Sequence, residues 1–224
     1  MGRLARFIPP DSYFHILSRG NNRQIVFLND ADFKKFLKLL KFCAEKFEWK
    51  VIHYVLMSNH YHIIIFNRVS ENLSNGIKLL NQGYTQYFRK KHGGTGHLWQ
   101  DRFKSFVIQD GKYLLKCGRY IELNPVRSNM VAIPEDYKWR SYNFYAFGKN
   151  NDLLQPSVEY LGLSENKNDR QKLYREFVMA GEKEKRGIER YFRQGFYGEL
   201  VFGKNLKFKG LVSKGWKKGP KMSG

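Results

Sequence analysis

The pattern of hydrophobic and polar positions changes period several times along the chain, and each change predicts an element. Tyr13 to Ser18 has strand character and ends in Arg19-Gly20-Asn21-Asn22, a turn sequence. From Asp30 to Phe47 a helix is predicted: Phe33, Phe36, Leu37, Leu40 and Ala44 fall on one face, with Asp30 as the expected N-cap. Trp49 to Met57 and His60 to Phe66 are β-branched and apolar. Ser58-Asn59 between them is a two-residue turn signal, so the pair predicts a hairpin. Asn72 to Lys91 predicts a second amphipathic helix with a basic end, and His92 to Gly96 a Gly-rich loop. Phe103 to Gln109 predicts a short strand, and Gly111 to Asn124 a third helix stopped by Pro125.

The order β-α-β-β-α-β-α predicts an α+β fold: a ferredoxin-like or RRM-like antiparallel sheet with helices packed on one face. This unit is expected over residues 1–150, closing at the loop Gly148-Lys149-Asn150-Asn151-Asp152. Residues 151–224 form a basic, mostly helical C-terminal extension. Lys167 to Gly224 carries sixteen Lys/Arg against six Asp/Glu, Asp169 to Phe192 predicts a helix, and Lys204 to Gly224 a flexible cationic tail.

Composition adds a partner class. The 224 residues are 42% hydrophobic and 16% aromatic, enough for a packed core, which excludes a disordered chain. Forty Lys+Arg against twenty Asp+Glu give a net charge of +20, a field that attracts polyanions. Nucleic acid is the first candidate; an anionic membrane surface and a ribosome-like structural role also fit. No run of about 18 apolar residues predicts a membrane span, and Met1 to Pro10 lacks the apolar stretch of a secretory signal. Cys43 and Cys117 stand in apolar helical surroundings as expected buried thiols, and cytoplasmic localisation is the expectation that follows.

The candidate chemistry centres on His60-Tyr61-His62. Alternation on a strand puts both histidines on one face about 7 Å apart at Cα, where they can share a metal ion. The competing reading is two polar residues on a solvated face, but Ile63, Ile64, Ile65 and Phe66 mark an interior strand, where unpaired imidazoles are costly. Tyr120 and Asn124 are four apart on the third helix and share a face. The Asn124 carbonyl can supply a third ligand, and oxygen with imidazole suits Mg²⁺ or Mn²⁺. Tyr120 can attack a phosphorus bound there; Tyr113, seven residues earlier, lies on nearly the same face, and periodicity does not choose between them. Arg19, Asn21, Arg23, Arg102, Lys104, Arg119 and Arg127 flank these elements, with Trp99, Phe103 and Phe106 among them. Cations for phosphate and an aromatic for bases suit a single-strand groove, with Trp99 the better stacking candidate and Phe106 core.

Four stretches resemble the single-tyrosine HUH transposases, in particular the REP-associated tyrosine transposases. They are Tyr13-Phe14-His15-Ile16 with Ser18-Arg19-Gly20-Asn21-Asn22; Tyr54 through His62; Leu98 through Ser105; and Arg119-Tyr120-Ile121-Glu122-Leu123-Asn124-Pro125-Val126-Arg127. They stand in the family's order between about residues 6 and 145. The resemblance implies a ferredoxin-like core, His60 and His62 as metal ligands with Asn124 as the third, Tyr120 over Tyr113 as nucleophile, and Mg²⁺ or Mn²⁺ as cofactor. It implies metal-dependent nicking and strand transfer on single-stranded DNA near a hairpin, through a 5′-phosphotyrosine, with the enzyme either a monomer or a homodimer. The alternatives are a non-catalytic single-stranded DNA- or RNA-binding module, which needs none of these four residues, and a related replication or conjugation nickase.

Overall fold

Unbroken burial from Phe14 through Ile16, with Ser18 buried as well, is what a strand covered on both faces requires, and this strand builds the centre of the fold. The computed structural model of the chain describes residues 8–181 and 195–208. Strand β1 (Ser12–Arg19) pairs antiparallel with β3 (His60–Asn67) on one side and β4 (Lys104–Ile108) on the other. Strand β2 (Lys50–Met57) joins β3 through the Ser58-Asn59 turn, with Met57 opposite His60, as the hairpin signal predicts. The sheet among the described residues runs β2-β3-β1-β4-β5, with β5 the short strand Phe196–Tyr197. The first four strands with their two helices form the split β-α-β arrangement of the ferredoxin-like fold.

Helix α1 (Asp30–Lys46) starts one residue earlier in capping terms than expected. Asn29 is the N-cap, and the Asp32 carboxylate accepts from the Leu28 and Asn29 backbone N–H groups. Its apolar face, Phe33, Phe36, Leu40, Cys43 and Ala44, packs with Leu73, Ile77, Leu80 and Tyr84 of α2 (Ser70–His92) against Phe14, Ile16, Tyr61, Ile63 and Ile65 of the sheet.

Two expectations need correction here. Not all helices cover one face: α3 (Lys112–Glu122) lies on the opposite side, where Leu114, Cys117 and Ile121 meet Ile52, Val55, Met57 and Ile64. The strands that read as uniformly apolar carry apolar residues on both faces, so each face has to be covered. And α3 does not run to Asn124. It ends at Glu122, and Asn124–Arg127 form a short separate turn, α4, with Pro125 near its start rather than beyond its end.

Past residue 150 the chain stays on the same core. Leu154 bridges to Val51, and the Gln155 N–H bonds the Val51 carbonyl at 2.9 Å. Helices α5 (Tyr142–Phe147), α6 (Val158–Leu161) and α7 (Lys167–Ala180) enclose Leu123, Tyr142, Tyr145, Tyr160, Tyr174 and Val178 behind α3. Strand β5 (Phe196–Tyr197) adds a parallel edge to β4, where the expected sheet is wholly antiparallel, and α8 (Leu200–Phe208) follows it. Lys204 to Phe208 are therefore helical rather than tail. The rest of the expected tail, 209–224, and the end of the expected Asp169–Phe192 helix lie outside the described residues. Cys43 and Cys117 are free and buried, as expected.

Candidate active site

Alternation fixes which side chains face α3. On β3, Tyr61 points into the α1/α2 core, where its ring meets Phe36 at 4.8 Å, so His60 and His62 face the other way. On β1 the same alternation turns His15 to that face. Leu17 is the residue opposite His62, so His15 and His62 are diagonal neighbours, and His15 Nε2 lies 2.8 Å from His62 Nδ1. His60 and His62 have ring centroids 5.0 Å apart.

Tyr120 comes down on this cluster from α3. Its ring lies 6.0 Å from His62 and 6.2 Å from His15, edge-on to both. Tyr113, which periodicity left equal to it, is at the other end of α3 against Tyr197, 5.2 Å away. The fold thus separates the two tyrosines. Asn124 Nδ2 donates to the Tyr120 carbonyl at 3.1 Å, so the amide is held beside the tyrosine although α3 has already ended. The Arg127 guanidinium sits 5.4 Å from the Tyr120 ring centroid and donates to the Gly181 carbonyl.

Burial sets the protonation of the cluster. It drives His15 down to about 3, and burial followed by the Arg19 charge drives His60 down to about 4. His62 is pushed well below the usual range by burial, then by His15, His60 and Arg19. All three are neutral imidazoles near pH 7, the form that binds metals. For His60 the tautomer follows from its partner. Asn59 Nδ2 donates to the Arg23 carbonyl at 3.2 Å, so Asn59 Oδ1 is the acceptor that faces His60 Nδ1 at 2.6 Å. Nδ1 carries the hydrogen and Nε2 keeps its lone pair.

Two neutral imidazoles and one amide oxygen are a donor set that fits a divalent ion with sites left open for phosphate oxygens. Among the described residues no group of three or more His, Cys, Asp or Glu side chains is placed to hold a metal ion.

α3 sits where it does because of a β-bulge and a glycine. The bulge between Val51 and His53 puts Ile52 and His53 both on the α3 side. His53 lies under Gly118, where a Cβ would come within 2.5 Å of its Nε2. Its Nδ1 is 2.9 Å from the Glu122 carboxylate, which also accepts from Ser141 Oγ at 2.6 Å, and Arg140 donates to the Glu122 backbone carbonyl at 3.1 Å. This buried polar cluster pins the end of α3 on which Tyr120 stands. Sequence inspection finds neither it nor His15. His15 is legible only as a polar position in an otherwise apolar strand, a signal that its partner on β3 makes meaningful.

The expected basic residues divide. Gly20 bridges to Trp99, the Gln100 N–H bonds the Arg19 carbonyl at 2.9 Å, Arg19 is paired with His60 and Leu17 with Lys104. Arg19, Asn21, Arg23, Trp99, Arg102 and Lys104 thus gather at the His60 end of the sheet. Arg119 does not join them, which corrects its placement among the DNA contacts. It is 6% exposed, donates to the Phe177 carbonyl at 3.2 Å and stacks on the Phe177 ring, fastening α3 to α7. Trp99 is half-buried, packed edge-on to Tyr61 at 5.5 Å with its Nε1 donating to the Asn81 carbonyl. It lines a cleft of about 1400 Å³ between α2 and the 96–103 loop, together with Lys78, Arg89 and Arg102. That cleft is on the α2 side of the sheet, and the histidines are on the α3 side. Phe106 is core, 6.0 Å from His15. No helix among the described residues is long and apolar enough to cross a membrane.

Comparison with known proteins gives a family match over residues 10–124, to the family described as "Transposase IS200 like". No curated protein matches the sequence. Among solved structures, a REP-associated tyrosine transposase bound to a REP hairpin is similar at a TM-score of 0.57 and 18% identity, covering 70% of this chain and 93% of its own. At that identity the likeness shows the fold. A candidate transposase from Deinococcus radiodurans R1 aligns at 0.37 and 15%, covering 55% of this chain and 95% of its own. A tRNA(His) guanylyltransferase from Saccharomyces cerevisiae aligns at 0.43 and 13%, covering 79% and 81%.

Proposed function

The chain belongs to the IS200-like transposase family, and from that footing we propose that it nicks and rejoins single-stranded DNA through Tyr120, with Mg²⁺ or Mn²⁺ held by His60, His62 and Asn124. The observation that carries this reading is the packing of the Tyr120 ring on the buried, neutral imidazoles of His62 and His15. The similar REP-associated transposase is bound to a hairpin, and hairpin-forming DNA is accordingly the substrate proposed for this chain, acted on by a monomer or a homodimer.

When bound, the cation supplies Lewis-acid polarisation of a non-bridging phosphate oxygen. The chain's own residues do the rest. Tyr120 Oη attacks phosphorus in line. The Oη–P bond forms, the P–O3′ bond breaks, and the phenolic proton is the one that balances the departing 3′-oxygen. The product pair is a 5′-phosphotyrosine and a free 3′-OH. A second 3′-OH reverses the step, breaking Oη–P and releasing Tyr120, so no external energy source is needed. Arg19, Asn21, Arg23, Trp99, Arg102, Lys104 and Arg127 are proposed to hold the strand, with Arg127 beside the nucleophile.

The test is a denaturing-gel assay with single-stranded hairpin oligonucleotides, Mg²⁺ or Mn²⁺, and the Tyr120→Phe variant. The expected result is a metal-dependent protein–DNA adduct that the variant loses while its DNA binding is unchanged. An adduct that survives in Tyr120→Phe moves the nucleophile elsewhere. Binding with no adduct on any strand favours a non-catalytic nucleic-acid module.

A further inference from the structure

The proposed metal site has a feature its ligands alone do not explain: both histidines are engaged from behind at Nδ1. For His60 the partner is Asn59 Oδ1 at 2.6 Å, and the Asn59–Arg23 contact makes that oxygen an acceptor. For His62 the partner is a third imidazole, His15 Nε2, at 2.8 Å. One of these two nitrogens carries the hydrogen. If His15 donates, His62 bears its own hydrogen on Nε2 and has no lone pair left for a cation. If His62 donates, its Nε2 is bare, as it is in His60.

We propose that His15 is a positioning residue that accepts from His62 Nδ1 and so presents the His62 Nε2 lone pair to the divalent cation, in parallel with Asn59 behind His60. This rests on the metal reading above and deepens it. A hydrogen-bond acceptor behind a ligating imidazole fixes its tautomer and ring orientation and raises its basicity. The arrangement here uses a neutral imidazole where a carboxylate or carbonyl is usual. His15 is 2% exposed and His62 3%, so no solvent competes for this hydrogen bond. A neutral acceptor also adds no negative charge behind the ligand, which leaves the cation's full charge for phosphate oxygens.

The experiment has two readouts, neither of them activity. Long-range ¹H–¹⁵N correlation spectra of the metal-free, full-length protein report which nitrogen of each histidine is protonated. The expected result is Nδ1–H for His62 and for His60. Mn²⁺ affinity without DNA is then measured by electron paramagnetic resonance. The expected result is about ten- to a hundredfold weaker binding in His15→Leu, with much of it restored in His15→Gln, whose amide oxygen still accepts. The wild-type tautomer measurement needs no variant to fold. A His15→Leu variant that binds Mn²⁺ as tightly as the wild type overturns the inference and leaves the metal reading standing, and Nε2–H on His62 overturns the inference together with the role of His62 as a ligand. Wild-type protein that binds no Mn²⁺ overturns both.

Discussion

Gly118→Ala sets two effects of opposite sign against each other. The new Cβ would lie 2.5, 2.8 and 3.0 Å from three atoms of the His53 ring. His53 has little room to yield: it is 2% exposed, its Nδ1 is held by Glu122 at 2.9 Å, and Tyr145 lies 4.5 Å from its ring. α3 must therefore rise by about 1 Å to restore ordinary carbon contacts. Overpacking of this kind costs about 1–3 kcal/mol, and replacing a mid-helix Gly by Ala returns about 1 kcal/mol. The net expectation is a loss of about 1 kcal/mol, read as a lower urea midpoint at unchanged slope. The larger effect is on chemistry. Tyr120 is two residues further on the same helix, and a displacement near 1 Å can cost about a hundredfold in rate. Single-turnover adduct formation on a hairpin oligonucleotide is expected to slow by about ten- to a hundredfold while DNA binding stays within error. A variant that is more stable than the wild type and forms adduct at the wild-type rate would refute the reasoning, because it would mean that α3 is not seated on His53.

Acid should weaken the metal-free protein well before its carboxylates titrate. His15 and His60 are lowered to about 3 and about 4 from 6.5, so below pH 6.5 the unfolded chain binds protons that the folded one does not. Their contribution is complete above pH 6.5 and is lost as pH falls toward the folded values. By pH 5 each gives up about 2 kcal/mol, and urea midpoints that stay level between pH 7 and 5 would contradict this. Glu122→Ala leaves His53 Nδ1 and Ser141 Oγ without their carboxylate partner. A loss of about 2–4 kcal/mol is expected in calorimetry or urea unfolding, and a loss below 1 kcal/mol would show that the cluster is not what holds the end of α3.

The sequence by itself determined the strand and helix order, the hairpin at Ser58-Asn59 and the facing of His60 with His62. These are local: a period of two or 3.6 and a turn residue act within a few positions, and the physics that enforces them is short-ranged. The family resemblance was carried by the same local stretches. What only the tertiary structure decided lies in pairings distant in sequence. Periodicity placed Tyr113 and Tyr120 on one face, and the seating of α3 put Tyr120 over the histidines and Tyr113 against Tyr197. Arg119 looked like a phosphate contact because a cation in a basic stretch reads as solvated, yet α7 arrives from 58 residues away and buries it. The bulge at Ile52 turned two consecutive residues to one face, which no alternation rule anticipates. His15 became part of the site because the register of β1 on β3 sets it diagonally beside His62. Hydrogen bonding and close packing between segments far apart in the chain assign such residues their roles, and these forces act only once the sheet has brought the segments together.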